Sequence, residues 1–188
     1  MGVVVSGAGS NLRNLVDRGL AVVAVATNRP SCGGAAFARE RGIPLGELSQ
    51  KGFASLAERD EAMLTFFRAH GVELVVDAGY DRIHSRAFVE AFRGRIINIH
   101  PSLLPDFAGD MHAVERALRI GVKMTGATVH VVTDDLDAGP ILVQESVPVL
   151  RDDTAETLRL RVHEAEYRIL PEAIRMMEAR LAKSSAVG

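Results

Sequence analysis

Short β-branched runs alternate with amphipathic stretches through the first two thirds of the chain, and then two strands follow each other with no helix between them. Val3-Val4-Val5 leads into a glycine turn and then Leu12, Leu15 and Val16 at helical spacing. The apolar run Ala21 to Ala26 follows, then a loop at Asn28-Arg29-Pro30-Ser31. Helices are predicted over Ala35 to Arg41, Ser55 to His70, Ser85 to Phe92 and Val114 to Ile120, each closed by a glycine (Gly42, Gly71, Gly94, Gly121). Between them, Leu74-Val75-Val76 and Ile96-Ile97-Asn98-Ile99 read as strands. Thr125 to Val132 and Ile141 to Val149 then run consecutively, and from Thr154 the pattern is helical, with Asp153 and Glu156 in capping-box spacing and Pro171 dividing or kinking it. Strand–helix alternation followed by adjacent strands predicts an α/β fold: a Rossmann-like, mostly parallel sheet with an antiparallel extension and helices on both faces.

Composition narrows the partners. The 188 residues suit one domain, expected over residues 1–183, with 184–188 as a frayed tail. A net charge of −2, with no basic block among the 22 cations, disfavours nucleic acid and anionic membranes. No apolar run approaches the ~18–20 residues of a membrane span, and the N-terminus lacks the charged region of a signal peptide. Cys32 is the only cysteine, with no partners for a zinc site, so no metal is expected. These features point to a soluble, cytoplasmic, single-domain protein; a homodimer is left open.

Three segments carry chemistry. Ser6-Gly7-Ala8-Gly9-Ser10-Asn11-Leu12 joins the first strand to the first helix, where backbone N–H groups at a helix start favour an anion. It lacks the third glycine of a dinucleotide fingerprint and the GK[ST] of a triphosphate loop, so a phosphate monoester held by Gly9, Ser10 and Asn11 fits better. An ordinary tight turn would use the same residues. The second segment, Asn98-Ile99-His100-Pro101, puts an amide and an imidazole on one face of a strand end, an arrangement suited to acyl transfer. A strand-end asparagine capping the loop and a histidine satisfied by backbone is the plainer alternative. Third, Leu136-Asp137-Ala138-Gly139-Pro140 offers an acid that can orient and charge a histidine, or simply close an Asx-type turn. His130 shares a strand face with Thr128 and could point to the same cleft, but a packed, hydrogen-bonded histidine is the commoner reading. His163 and Glu166 lie one helical turn apart, where a solvated face is the default.

Taken together, Ser6 to Leu12 (SGAGSNL), Ala78-Gly79-Tyr80 with Arg82-Ile83, Asn98 to Pro105 (NIHPSLLP), Gly126 to Val131 (GATVHV) and Leu136 to Pro140 (LDAGP) resemble the glycinamide ribonucleotide formyltransferases, folate-dependent enzymes of purine synthesis. The resemblance covers almost the whole chain and implies the single-domain formyltransferase fold. It implies that the glycinamide amine attacks the formyl carbon of 10-formyltetrahydrofolate, the co-substrate. Asn98 would bind the formyl oxygen, His100 would act as imidazolium and proton donor, and Asp137 would keep His100 charged. Gly9, Ser10 and Asn11 would hold the ribonucleotide phosphate, joined by His163 and Glu166. Folate would be lined by Asp81, Arg82, Ile83, His84, Asn98, Thr133, Asp134, Asp135, Leu136 and Asp137. Thr128, His130 and His112 would support the site. The chain departs from the usual family pattern at Asp77, Asp81 and His84, which are apolar in most members; pairing with Arg82, Arg86 or His84 is expected to relieve the buried acids. The related formyltetrahydrofolate hydrolases, which pass the formyl group to water, and a folate- or nucleotide-binding protein without turnover are the alternatives. The hydrolases normally carry an added N-terminal domain, and the tRNA-formylating relatives a C-terminal one; neither is expected here.

Overall fold

A computed structural model describes residues 1–185. Its strands are β1 (Gly2–Val5), β2 (Ala24–Thr27), β3 (Leu45–Glu47), β4 (Val75–Asp77), β5 (Ile96–His100), β6 (Met124–Val131) and β7 (Ile141–Pro148). The helices are α1 (Ser10–Asp17), α2 (Gly33–Glu40), α3 (Leu56–Ala69), α4 (Arg86–Ala91), α5 (Ala113–Ile120) and α6 (Ala155–Ser185). The seven strands form one sheet in the order β3-β2-β1-β4-β5-β6-β7. β1 pairs parallel with β2 and β4, β2 with β3, and β4 with β5, whereas β6 and β7 are antiparallel. The α/β expectation with an antiparallel extension is met.

Packing sorts the chain into two compact units: Met1–Asn98 with Val132–Asp134, and Ile99–Val131 with Asp135 onward. In the first unit, strand alternation decides which helix covers which face. A Cβ on Gly2 would meet the Phe67 ring of α3 at 2.8 Å, and Val4 belongs to the core with Met63, Phe67, Phe88 and Phe92. Val5, of opposite parity, faces α2, where a Cβ on Gly34 would meet its Cγ2 at 2.8 Å. Thus α3 and α4 cover one face and α2 the other. Burying each of these phenylalanines contributes roughly 1.5–3 kcal/mol. In the second unit, α6 packs on β6 and β7, and α5 on α6.

Helix starts follow local chemistry. Ser55 caps α3, accepting the Glu58 N–H at 3.1 Å, while Glu58 Oε2 accepts from the Ala54 N–H at 2.7 Å. Ser85 caps α4 through the Phe88 N–H at 3.3 Å.

The structure differs from the sequence reading in four places. β3 has no apolar alternation, because its central Gly46 lies against the Phe66 ring, where a side chain would not fit, and a short 3₁₀ turn at Gln50–Gly52 follows it. The run Ala21–Ala26 enters the sheet only at Ala24. The capping box at Asp153 and Glu156 is not used: α6 starts at Ala155, Thr154 Oγ1 accepts from the Thr157 N–H, and Asp153 instead binds Arg161 and the Leu150 N–H. Pro171 does not divide α6, which runs on through Ser184 and Ser185, two residues into the stretch read as tail; 186–188 lie outside the described residues.

Candidate active site

β5 ends at His100, and the chain leaves it through Pro101 into a loop that folds back over the ring. The His100 Nε2 atom lies 3.1 Å from the Phe107 carbonyl oxygen, so Nε2 carries the hydrogen and donates it. On the other side of the ring, Nδ1 is 3.5 Å from Asp137 Oδ2. The other Asp137 oxygen is 3.4 Å from His130 Nε2, and the Gly109 N–H donates to Oδ2 at 2.8 Å. One carboxylate therefore bridges two histidines and a backbone amide.

Electrostatics set the resting state of this group. Burial pushes the Asp137 carboxyl up, but His130, the Gly109 N–H and the nearby rings outweigh it and hold the carboxyl below its ordinary value. For His100 the balance goes the other way. Burial lowers its basicity more than Asp137 and the Phe107 carbonyl raise it, so the ring rests neutral at pH 7. A free Nδ1 facing a carboxylate is placed to take up a proton. Among the described residues, Phe107 and Asp137 are also the two non-glycine residues with positive φ, at 60° and 51°. Strain of this kind costs on the order of 1–3 kcal/mol per residue and persists where the surroundings impose it. Here it lies at the two residues whose oxygens meet His100.

Thr128 fixes the loop beyond His100. Its hydroxyl donates to the Ser102 carbonyl at 2.6 Å and accepts from the Leu104 N–H at 3.1 Å and Gln144 Nε2 at 2.8 Å. A register shift beside His130 locally disrupts the β6–β7 ladder. His112, by contrast, sits exposed at the start of α5, where its own backbone N–H donates to Asp110. Phe107 and Gly109, which sequence reasoning missed, act through backbone atoms; the only hint was a glycine two residues after an aromatic.

In the first unit, Gly9 precedes α1 with φ +76°, and a Cβ there would lie 2.4 Å from Gly34 Cα. Close contact with α2 thus explains this glycine independently of any ligand. Asn11 is buried and Ser10 half-buried, while Gly7 has open space around it. The turn is tied to two other loops. Ser6 Oγ donates to Asn28 Oδ1 at 2.7 Å and accepts from the Asp81 N–H at 3.0 Å, and Asn28 Nδ2 donates to Asp81 Oδ1 at 2.7 Å. Arg29 pairs with Asp81, and Arg82 stands 3.8 Å from it. Although burial pushes the Asp81 carboxyl up, these donors and cations hold it below its ordinary value.

The remaining candidates are distributed as follows. Asn98 is half-buried in β5, in register with Asp77 of β4. Arg82 and Ile83 are exposed, the latter by 62%, whereas the His84 side chain is only 2% exposed and binds Asp77 with Nε2 at 3.0 Å. Asp77 is thus relieved by His84, and Asp81 by Arg82 and by Arg29, which the sequence did not single out. Thr133 is half-buried, and Asp134, Asp135 and Leu136 are exposed. On α6, Glu166 is buried and His163 half-buried, so the solvated helix face assumed by default is not what forms.

Known proteins match this chain along its length. A family model described as formyl transferase matches residues 1–174. The phosphoribosylglycinamide formyltransferase of Mycobacterium tuberculosis is 43% identical over 92% of this chain and 81% of its own length. The human trifunctional purine biosynthetic protein adenosine-3 is 40% identical over 93% of the chain, which spans only 18% of that longer protein. For its counterpart in Drosophila melanogaster the share is 14%. The crystal structure of glycinamide ribonucleotide transformylase 1 from Symbiobacterium toebii superposes with a TM-score of 0.89 at 42% identity, covering 94% of this chain and 85% of that one. With a family model over residues 1–174 and a relative 43% identical over 92% of the chain, the chain belongs to the formyl transferase family.

Proposed function

We propose that residues 1–183 form a formyltransferase domain that transfers the formyl group of 10-formyltetrahydrofolate to the amine of glycinamide ribonucleotide, giving formylglycinamide ribonucleotide and tetrahydrofolate. The observation that carries the reading is His100, held neutral by burial with one nitrogen on the Phe107 carbonyl and the other facing the Asp137 carboxylate. The relatives named above support the substrate pair.

The chemistry follows from that arrangement. The amine attacks the formyl carbon, and its nitrogen becomes positive while the formyl oxygen becomes negative. Asp137, ionised and beside the ring, passes the surplus proton through water to His100 Nδ1. The imidazolium so formed lies against the carboxylate and stabilises the oxyanion together with the Asn98 amide. As the tetrahedral intermediate collapses, the proton goes to the departing folate nitrogen and His100 returns to its neutral form. The imidazolium expected from the resemblance is therefore the loaded state of the ring, since burial outweighs Asp137 in the resting protein.

Gly9, Ser10 and Asn11, with His163 and Glu166, hold the phosphate in this proposal, and residues 81–84 and 133–137 hold the folate. The co-substrate needs no metal, and the partners are small molecules in the cytoplasm. The test is formyl transfer from formyl folate to glycinamide ribonucleotide, followed by folate absorbance. Formate release without the amine would instead mark a hydrolase, and binding without turnover a carrier.

A further inference from the structure

Next to the exposed residues Arg82 and Ile83 lies a buried ionic cluster whose side chains take no part in the proposed chemical step. Arg59 and Asp60, adjacent on α3, are each 1% exposed, and Arg59 donates through Nε and Nη2 to Asp60 Oδ1 at 3.0 and 2.7 Å. The second Asp60 oxygen accepts the Ser85 N–H at 2.5 Å, and Arg59 Nη2 reaches the Ile83 carbonyl at 3.5 Å. Between those two grips, the His84 ring turns inward. Its Nε2 is 3.0 Å from both oxygens of Asp77 at the end of β4, and its Nδ1 is 4.0 Å from Asp60 Oδ2. Phe88 stacks on one side of the ring with centroids 4.4 Å apart, and the Tyr80 ring stacks at 5.0 Å.

The charges decide what this cluster requires. Two carboxylates are buried with one guanidinium, so neutrality requires the imidazolium form of His84. Without its proton, one buried carboxylate loses its counter-charge, which a dry environment penalises heavily. The titratable and charged groups facing the ring are Asp77 from β4, Asp60 and Arg59 from α3, and Tyr80 from the preceding loop. Burial pushes the ring down, yet the two carboxylates outweigh burial and raise it above the ordinary histidine value. Tyr80, raised by burial, stays a neutral phenol.

We propose that Asp77, His84, Asp60 and Arg59 form a charge-balanced clamp on the backbone of residues 83–85, and that His84 is thereby a proton-dependent positioning residue for binding of the formyl donor by the 81–84 segment. The donor assignment rests on the proposed function; the clamp itself does not. The clamp holds Ile83 by its carbonyl, Ser85 by its amide and His84 by its ring. The side chains of Arg82 and Ile83 are left outside, on a fixed backbone.

The sign follows from linkage. A segment released from the clamp carries a histidine with the ordinary value of 6.5, whereas the clamped ring titrates above it. Closure is therefore strongest below 6.5 and weakens about tenfold per pH unit from there to the clamped value, where it levels off.

The test uses the full chain. Hydrogen exchange of the Ser85 amide, corrected for intrinsic rates, is followed from neutral to alkaline pH beside nitrogen-detected NMR titration of His84. The KM for formyl folate is measured over the same range. The expected result is Ser85 protection that falls as His84 loses its proton, with KM rising about threefold or more while kcat stays level. In Asp77→Leu/His84→Leu, which replaces the ion pair by apolar side chains, both pH dependences should vanish. Unchanged protection and KM in the wild type while His84 deprotonates overturns the clamp, and that arm needs no variant to fold. Equal pH dependence in the double variant overturns it too. Were the exchange signature present with no formyl transfer, the clamp would stand and the proposed function would fall.

Discussion

Thr128→Val tests how the His100 loop is held. The two side chains have nearly the same shape, so the perturbation removes a hydroxyl and creates no cavity. Thr128 is fully buried, and its hydroxyl serves the Ser102 carbonyl, the Leu104 N–H and Gln144 Nε2. Gln144 retains a second acceptor in the Leu104 carbonyl at 3.0 Å, so two backbone groups lose this partner rather than three. Each such group left unsatisfied costs ~1–3 kcal/mol, giving ~2–6 kcal/mol for the substitution. With a urea dependence of about 2 kcal/mol per M for a chain of this size, the unfolding midpoint should fall by ~1–3 M. Because the loop begins immediately after His100, kcat should fall with stability, measured well below the new midpoint. A midpoint shift under ~0.3 M would refute the account of the loop, since the hydroxyl would then contribute no more than a surface group.

Four further outcomes follow. Asn98→Ala should lower turnover by ~10²–10³ with the fold intact by circular dichroism, as removal of one oxyanion donor typically does; near-full activity would remove Asn98 from the mechanism. Since His100 rests neutral and must accept a proton, kcat/KM should fall toward acid with a midpoint below 6.5, the ordinary histidine value. In Asp137→Asn, which tolerates the left-handed backbone, the carboxylate that raises His100 is gone, so that acid limb should move to still lower pH while the maximum rate drops; a limb at or above 6.5 in the wild type would contradict the neutral ring. Gly9→Ala should cost ~2–5 kcal/mol, from the positive φ and the contact with Gly34, and lower the melting temperature by roughly 5–15 °C in calorimetry.

Residues that act through strand periodicity were legible from the chain. Asn98 and His100 lie two apart in β5, and the period of two alone puts them on one face. The glycine closures of α2 to α5 also read directly, since a residue with positive φ after a helix is a local requirement. What stayed hidden depends on atoms far apart in sequence or on the backbone. Phe107 and Gly109 contribute a carbonyl and an amide, which any residue type supplies. His84 reads as a ligand contact when seen only beside Ile83, because Asp60 reaches it from another helix and Asp77 from the preceding strand. β3 was invisible because its central residue is a glycine packed under Phe66, so it carries no apolar alternation.

The central claim is that the neutral His100 beside Asp137 serves formyl transfer to an amine. Its most direct test is a single-turnover reaction with 10-formyltetrahydrofolate and glycinamide ribonucleotide, quantifying tetrahydrofolate by absorbance and the formylated ribonucleotide by mass spectrometry. The account predicts equal amounts of both products in the wild type, no folate consumption without the amine, and loss of both products in His100→Ala. Folate turnover that yields formate and leaves the ribonucleotide unmodified would contradict it.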